Sequence, residues 1–122
     1  MTAPASVVEG FFLAMEARRW GEAARFLADD VQVWWPVTDE RFSGPRFIAM
    51  QEAYPEGWTI TIVEVTASES RVAARIAVDQ AGDRFWCHGW YEVDEDRITG
   101  AVELWGTEAS ETPPPWRARY SD

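Results

Sequence analysis

The chain is poor in the side chains from which reactive centres are most often built: it has one cysteine, Cys87, and one histidine, His88. A lone thiol closes no internal disulfide, and with one imidazole it falls short of a dedicated zinc site, so no metal is expected. No spaced set of acids resembles a calcium loop. Basic residues are scarce as well, 11 against 21 acids, and the resulting net charge of −10 repels phosphate backbones and anionic lipid. Nucleic acid and membrane surfaces are therefore not expected as partners. No apolar run approaches the roughly 20 residues needed to span a bilayer. Met1 to Ser6 lacks the basic start and apolar stretch of a secretory signal, which makes the reducing cytoplasm the expected compartment. A phosphate-cradling glycine loop, a triad order and a nucleotide fingerprint are all missing, so no organic cofactor is expected.

What is abundant is bulk. The chain is 47% hydrophobic and carries eight Trp in 122 residues, which points to one folded domain over residues 1–122 with thick aromatic walls. Ser6-Val7-Val8-Glu9 fits a capping box, and Val8, Phe11, Phe12 and Met15 recur at helical spacing, predicting an amphipathic helix over 6–19. Trp20 to Ala28 reads as a second helix ended by Asp29-Asp30. A short strand follows over 31–35, stopped by Pro36. Asp39-Glu40-Arg41 reads as loop. A third helix starts at Ser43-Gly44-Pro45, carries Phe47, Ile48, Met50 and Tyr54, and is broken by Pro55-Glu56-Gly57.

From Trp58 the period changes from helical to two. Strands are predicted at about 58–66, 70–79, 84–93 and 97–107, joined by turns so short that neighbours must run antiparallel. A proline-rich tail, 108–122, holds Pro113-Pro114-Pro115 before Trp116, which is expected to lie against the body. The plan is α+β, with helices first and then a curved antiparallel sheet.

Within the last strand, Glu103 is a lone carboxylate among Val102, Leu104 and Trp105. An isolated buried charge is too costly to keep, so Glu103 must pair, protonate or face a cavity. Glu103 and Trp105 share one face of the strand.

The order of these elements resembles the NTF2-like superfamily, which includes SnoaL-like polyketide cyclases, ketosteroid isomerases and limonene epoxide hydrolases. The residues that carry the resemblance are Ala28-Asp29-Asp30-Val31, Ser43-Gly44, Tyr91-Glu92-Val93-Asp94 with Arg97-Ile98, and Val102-Glu103-Leu104-Trp105. Tyr54-Pro55-Glu56-Gly57-Trp58 and Pro114 to Arg117 look like bacterial members without an assigned reaction. The resemblance implies a cone whose sheet wraps a deep apolar pocket, and a homodimer formed through the sheet's outer face. It also brings departures. Where ketosteroid isomerases hold their base, tyrosine and second acid, this chain has Trp35, Phe11 and Gly89. Where epoxide hydrolases hold an Arg-x-Asp pair and a last-strand acid, it has Arg75-Ile76-Ala77 and Glu103.

Carried onto this chain, the resemblance makes Glu103 a candidate acid–base group with Arg75 or Tyr54 polarising an oxygen. It lines the pocket with Phe12, Met15, Trp35, Met50, Trp58, Cys87, Tyr91 and Trp105, and puts Trp86, His88 and Trp90 on the outer, dimer face. Each assignment has a plainer rival: Arg75 and Glu103 as a structural ion pair, Cys87 as a small buried hydrophobe, Tyr54 and the other aromatics as packing. The expected activity is binding of a small, largely apolar metabolite, with cofactor-free isomerisation, dehydration, cyclisation or hydrolysis. The alternatives are a non-catalytic carrier of a hydrophobic ligand and a protein-interaction module.

Overall fold

The computed structural model describes residues 2–122. Helix α1 spans Pro4–Glu16 and α2 Trp20–Arg25; strand β1 (Leu27–Trp35) and strand β2 (Glu40–Ser43) then lead into α3 (Gly44–Glu52). The second half is the meander β3 (Trp58–Ser68), β4 (Arg71–Gln80), β5 (Asp83–Asp94) and β6 (Arg97–Thr107), followed by a short 3-10 helix, Pro115–Tyr120. Among the described residues no helix is long and apolar enough to cross a membrane.

Helix α1 begins two residues earlier than the spacing predicts. Pro4 suits a first helical turn, where its missing N–H would have no partner anyway, and the Ser6 and Val7 amides donate to Ala3 O at 2.9 and 3.2 Å. Ser6 is therefore inside the helix and caps nothing, which corrects the capping-box reading. The buried stripe is Val7, Val8, Phe11, Phe12, Ala14 and Met15. The helix ends before residue 19, where Arg18 turns into the left-handed region at φ 61° and its amide donates to Met15 O.

Helix α2 is shorter than predicted, because Leu27 already pairs with Ile98 of β6 and Asp29-Asp30 lie inside β1. Strand β2 was not anticipated at all. The turn Pro36–Asp39, closed by Asp39 at φ 55°, folds Glu40 back opposite Trp35 to form a hairpin. Helix α3 ends at Glu52, so Tyr54 follows it instead of belonging to it.

The six strands run in the order β2-β1-β6-β5-β4-β3. All neighbours are antiparallel except β1 and β6, which run parallel and correct the purely antiparallel expectation. Irregularities at Ile62/Glu64 and Glu92/Val93 bend the sheet, as bulges do. The start of the edge strand β3 is covered by side chains from the end of α1. Glu16 accepts the Ile60 amide on both carboxylate oxygens at 3.1 Å, and Arg18 donates to Trp58 O with its guanidinium 3.6 Å from the Trp58 ring centre. Such edge groups would otherwise template pairing with another chain.

The core lies between α1 and the concave face of the sheet, where Val72, Ile76, Cys87, Tyr91, Ile98 and Ala101 meet the helix. Trp116 does not lie against the body as the proline run suggested: it is exposed and packs edge-on against Tyr120, their ring centres 6.4 Å apart.

Candidate functional site

Alternation along β5 and β6 decides which side chains enter the hollow of the sheet. On β5, Cys87, Gly89, Tyr91 and Val93 are buried, while His88, Trp90 and Glu92 are exposed. On β6, Glu103 stands directly opposite Gly89. The absence of a side chain at Gly89 has a structural consequence. A Cβ there would sit 2.6 Å from Cε2 of Tyr91, so the tyrosine leans back along its own strand over the glycine. Its hydroxyl thereby reaches across to Glu103 and donates to Oε2 at 2.5 Å.

The other carboxylate oxygen is held as well. Trp35, at the end of β1, donates its indole N–H to Glu103 Oε1 at 2.9 Å. Glu103 is only 2% exposed, and burial pushes its pKa above the ordinary 4.5, while the bonds from Tyr91, Trp35 and Cys87 pull the other way. Burial and then the nearby Glu103 charge push the Tyr91 hydroxyl and the Cys87 thiol well up, so both remain protonated donors at neutral pH. Cys87 is a buried hydrogen-bonding hydrophobe and not a nucleophile.

Glu103 forms part of the wall of a cavity of about 490 Å³, within the range of small-molecule sites. Phe12, Met15, Trp35, Tyr54, Trp58 and Trp105 line it too. Trp35 is the hub of its aromatic end, with ring centres 5.1 Å from Phe42, 5.9 Å from Phe47 and 5.7 Å from Trp105, all edge-on. Trp105 contributes its ring alone, since its buried indole N–H has no partner among the described residues.

Four residues are placed differently from expectation. Arg75 does not face the cavity: β4 buries Val72, Ala74, Ile76 and Val78, and leaves Arg75 on the opposite face with its guanidinium 4.7 Å from the Trp86 ring centre. It therefore cannot pair with Glu103. Met50 packs against the core without lining the cavity, because α3 presents Phe47 and Gln51 there instead. Cys87 and Tyr91 stand behind the wall, touching Glu103 but not the hollow itself. Trp86, His88 and Trp90 all lie on the outer face of the sheet.

The sequence reading missed other lining residues. Phe47 and Gln51 share one face of α3 four residues apart, and Ile60, Val78 and Phe85 occupy inward strand positions. The mouth is formed by Val37, Thr38 and Glu40 of the β1–β2 hairpin with Thr107 and Ser110. Helical spacing was sufficient to find Gln51, a polar residue in an apolar stripe. The mouth was hidden because β2 was. Among the described residues, no cluster of three or more His, Cys, Asp or Glu is placed to hold a metal ion.

A family model described as a SnoaL-like domain matches residues 8–101, and the chain belongs to that family. Among solved structures, it resembles a proposed ketosteroid isomerase from Kribbella flavida at 24% identity and a TM-score of 0.87, covering 98% of this chain and 87% of the other. An LEH-like epoxide hydrolase from M. tuberculosis matches at 24% identity and a TM-score of 0.72, over 84% and 82% of the two chains. IdmH, a proposed polyketide cyclase from Streptomyces antibioticus, matches at 13% identity and a TM-score of 0.76, over 85% and 92%. No curated protein matches the chain. At these identities the likeness is one of fold, an NTF2-like α+β cone, and the reaction must be argued from the site.

Proposed function

We propose that the cavity binds a small, largely apolar metabolite and that Glu103 moves a proton within it. One observation carries this reading: a buried carboxyl on an aromatic cavity wall, its pKa pushed up by burial, with no basic side chain among the described residues lining the same hollow. A carboxyl shifted toward neutrality can take a proton from an activated C–H or a water and return it elsewhere on the ligand. Tyr91 and Trp35 would hold the carboxyl in one orientation while it does so, and the Tyr54 hydroxyl, also on the lining, would polarise a ligand oxygen. Isomerisation, dehydration, cyclisation and hydrolysis all use such a group. The structural neighbours described as a ketosteroid isomerase, an epoxide hydrolase and a polyketide cyclase support the range. Once a turned-over compound is identified, Glu103→Gln is expected to lower kcat by about 10²- to 10⁴-fold. Unchanged turnover would remove Glu103 from catalysis.

A second reading, a non-catalytic carrier, is favoured by Arg75 lying outside, which leaves Glu103 without a charged helper. It expects tight binding that survives Glu103→Gln, with no product after long incubation.

The outer face supports a homodimer. Trp90 is 52% exposed there, beside Trp86, His88 and Leu104. Sedimentation equilibrium with Trp90→Asp tests this, dissociation being the expected result. The acidic balance and the single buried thiol support a cytoplasmic protein that binds neither nucleic acid nor membrane.

A further inference from the structure

The Glu103 carboxyl is already satisfied in its hydrogen bonding; the carboxamide on the α3 side is not. Gln51 sits in the last turn of α3, only 9% exposed, and lines the same hollow as Glu103. Its carboxamide makes no side-chain hydrogen bond among the described residues, whereas Glu103 uses both oxygens and Trp35 its indole N–H on each other and on Tyr91. The Trp105 N–H is also unpartnered but enclosed, out of a ligand's reach, and Gln80 is a half-buried second carboxamide at the end of β4. Thr38 is bonded to Glu40 at 2.6 Å, and Tyr54, Thr107 and Ser110 are exposed at the mouth, where water serves them. The amide opens onto the hollow and is not sealed in the core, so only what fills the hollow can serve it, whereas a Leu or Met there would need no such partner.

We propose that Gln51 selects the ligand by holding a neutral oxygen function, carbonyl or hydroxyl, on an otherwise apolar molecule. This rests on the cavity being a ligand site and adds the polar contact that orients the ligand in it. The carboxamide donates through its NH₂ and accepts through its oxygen, so it serves either function. It does not suit an anion. Among the described residues no Lys, Arg or His lines the cavity, two acids, Glu40 and Glu103, do, and the whole chain carries −10. A ligand carboxylate would lose its water and meet no counter-charge. The bound oxygen sits against α3, and the apolar body of the ligand extends toward Trp35 and Trp105 on the strand side.

The test uses one skeleton with four substituents: decalin, 2-decalol, 2-decalone and decalin-2-carboxylate, titrated by the fluorescence of the cavity tryptophans. The wild-type protein is expected to bind the ketone or the alcohol about tenfold more tightly than the hydrocarbon, with the carboxylate weakest. Ketone preference over alcohol assigns the amide as donor, and the reverse assigns it as acceptor. Gln51→Met is expected to erase the oxygen advantage while keeping hydrocarbon affinity, and Glu103→Gln to retain the advantage. Urea unfolding gives a second readout that needs no ligand: Gln51→Met is expected to be as stable as wild type or more so. Hydrocarbon bound as well as ketone and alcohol, an advantage that survives Gln51→Met, or a clear loss of stability in that variant would each overturn the assignment while leaving the cavity as a binding site. If none of the four compounds bound, the cavity reading itself would fall.

Discussion

Tyr91 and Glu103 are joined across a glycine: the tyrosine hydroxyl donates to the carboxyl at 2.5 Å because Gly89 leaves room for its ring to lean over the strand. The bond does two things to the acid. It supplies a donor to the oxygen that Trp35 does not serve, and it fixes which oxygen points where. Tyr91→Phe is expected to cost about 1–3 kcal/mol, read by urea unfolding, because one buried oxygen loses its donor. It should also raise the Glu103 pKa further, since this bond is one of those holding it down. An NMR titration of the carboxyl carbon reads that shift.

Gly89→Ala should reach the same bond from the other side. The added Cβ would overlap the Tyr91 ring and drive the hydroxyl away from Glu103. A loss of about 1–3 kcal/mol is expected, as for overpacking in a full core. The double variant Gly89→Ala/Tyr91→Phe should lose less than the sum of the two single losses, because both remove one interaction. Additive losses in the unfolding cycle would contradict the coupling.

The two tryptophans beside Glu103 should behave differently. Trp35 spends its N–H on the carboxyl, whereas the N–H of Trp105 has no partner. Trp35→Phe is therefore expected to be the more damaging by about 1–2 kcal/mol, with Trp105→Phe losing ring contact alone. Equal losses in chemical denaturation would show that the Trp35 bond contributes little.

Stability should carry a pH signature from Glu103. Its folded pKa lies above its ordinary value of 4.5, so the folded state holds this proton more tightly than the unfolded chain does. Its contribution is then fullest below pH 4.5 and is lost as pH rises through the folded pKa. Glu103→Gln removes that titration, so the stability of the variant relative to wild type should rise from pH 4 toward neutrality and then level off. Parallel urea midpoints across that range would contradict the raised pKa.

Arg75 provides the control. It stacks on Trp86 on the outer face, away from the cavity. Arg75→Ala is expected to cost about 0.5–1 kcal/mol of stability through the lost ring contact and to leave cavity binding unchanged. Weakened ligand affinity in this variant would restore it to the site.

Period and punctuation made most elements legible in advance: the apolar stripe of α1, the helix opened by Gly44-Pro45, and the meander from Trp58 with its short turns. These signals are local, because helix and strand periods are properties of neighbouring residues. Strand parity likewise put Glu103 and Trp105 on one face and Trp86, His88 and Trp90 on another. Parity alone does not say which face is concave; the resemblance pointed Arg75 inward, although Val72, Ala74, Ile76 and Val78 form the apolar set of β4. Burial overturned that choice, since a guanidinium is better solvated in open water beside Trp86 than against the aromatic wall of the hollow.

The amino-acid sequence by itself determined the α+β plan, the acidic charge and the presence of a lone carboxylate in a core-like strand. Tertiary structure decided what surrounds that carboxylate. Trp35 arrives from a strand 68 residues away, paired in parallel with β6, and Tyr91 arrives from the neighbouring strand over Gly89. The mouth depends on a β1–β2 hairpin that neither spacing nor composition announced. Contacts between distant segments follow from strand order and register. Those are set by how the whole sheet buries its inner face, and no local window of the chain contains that information.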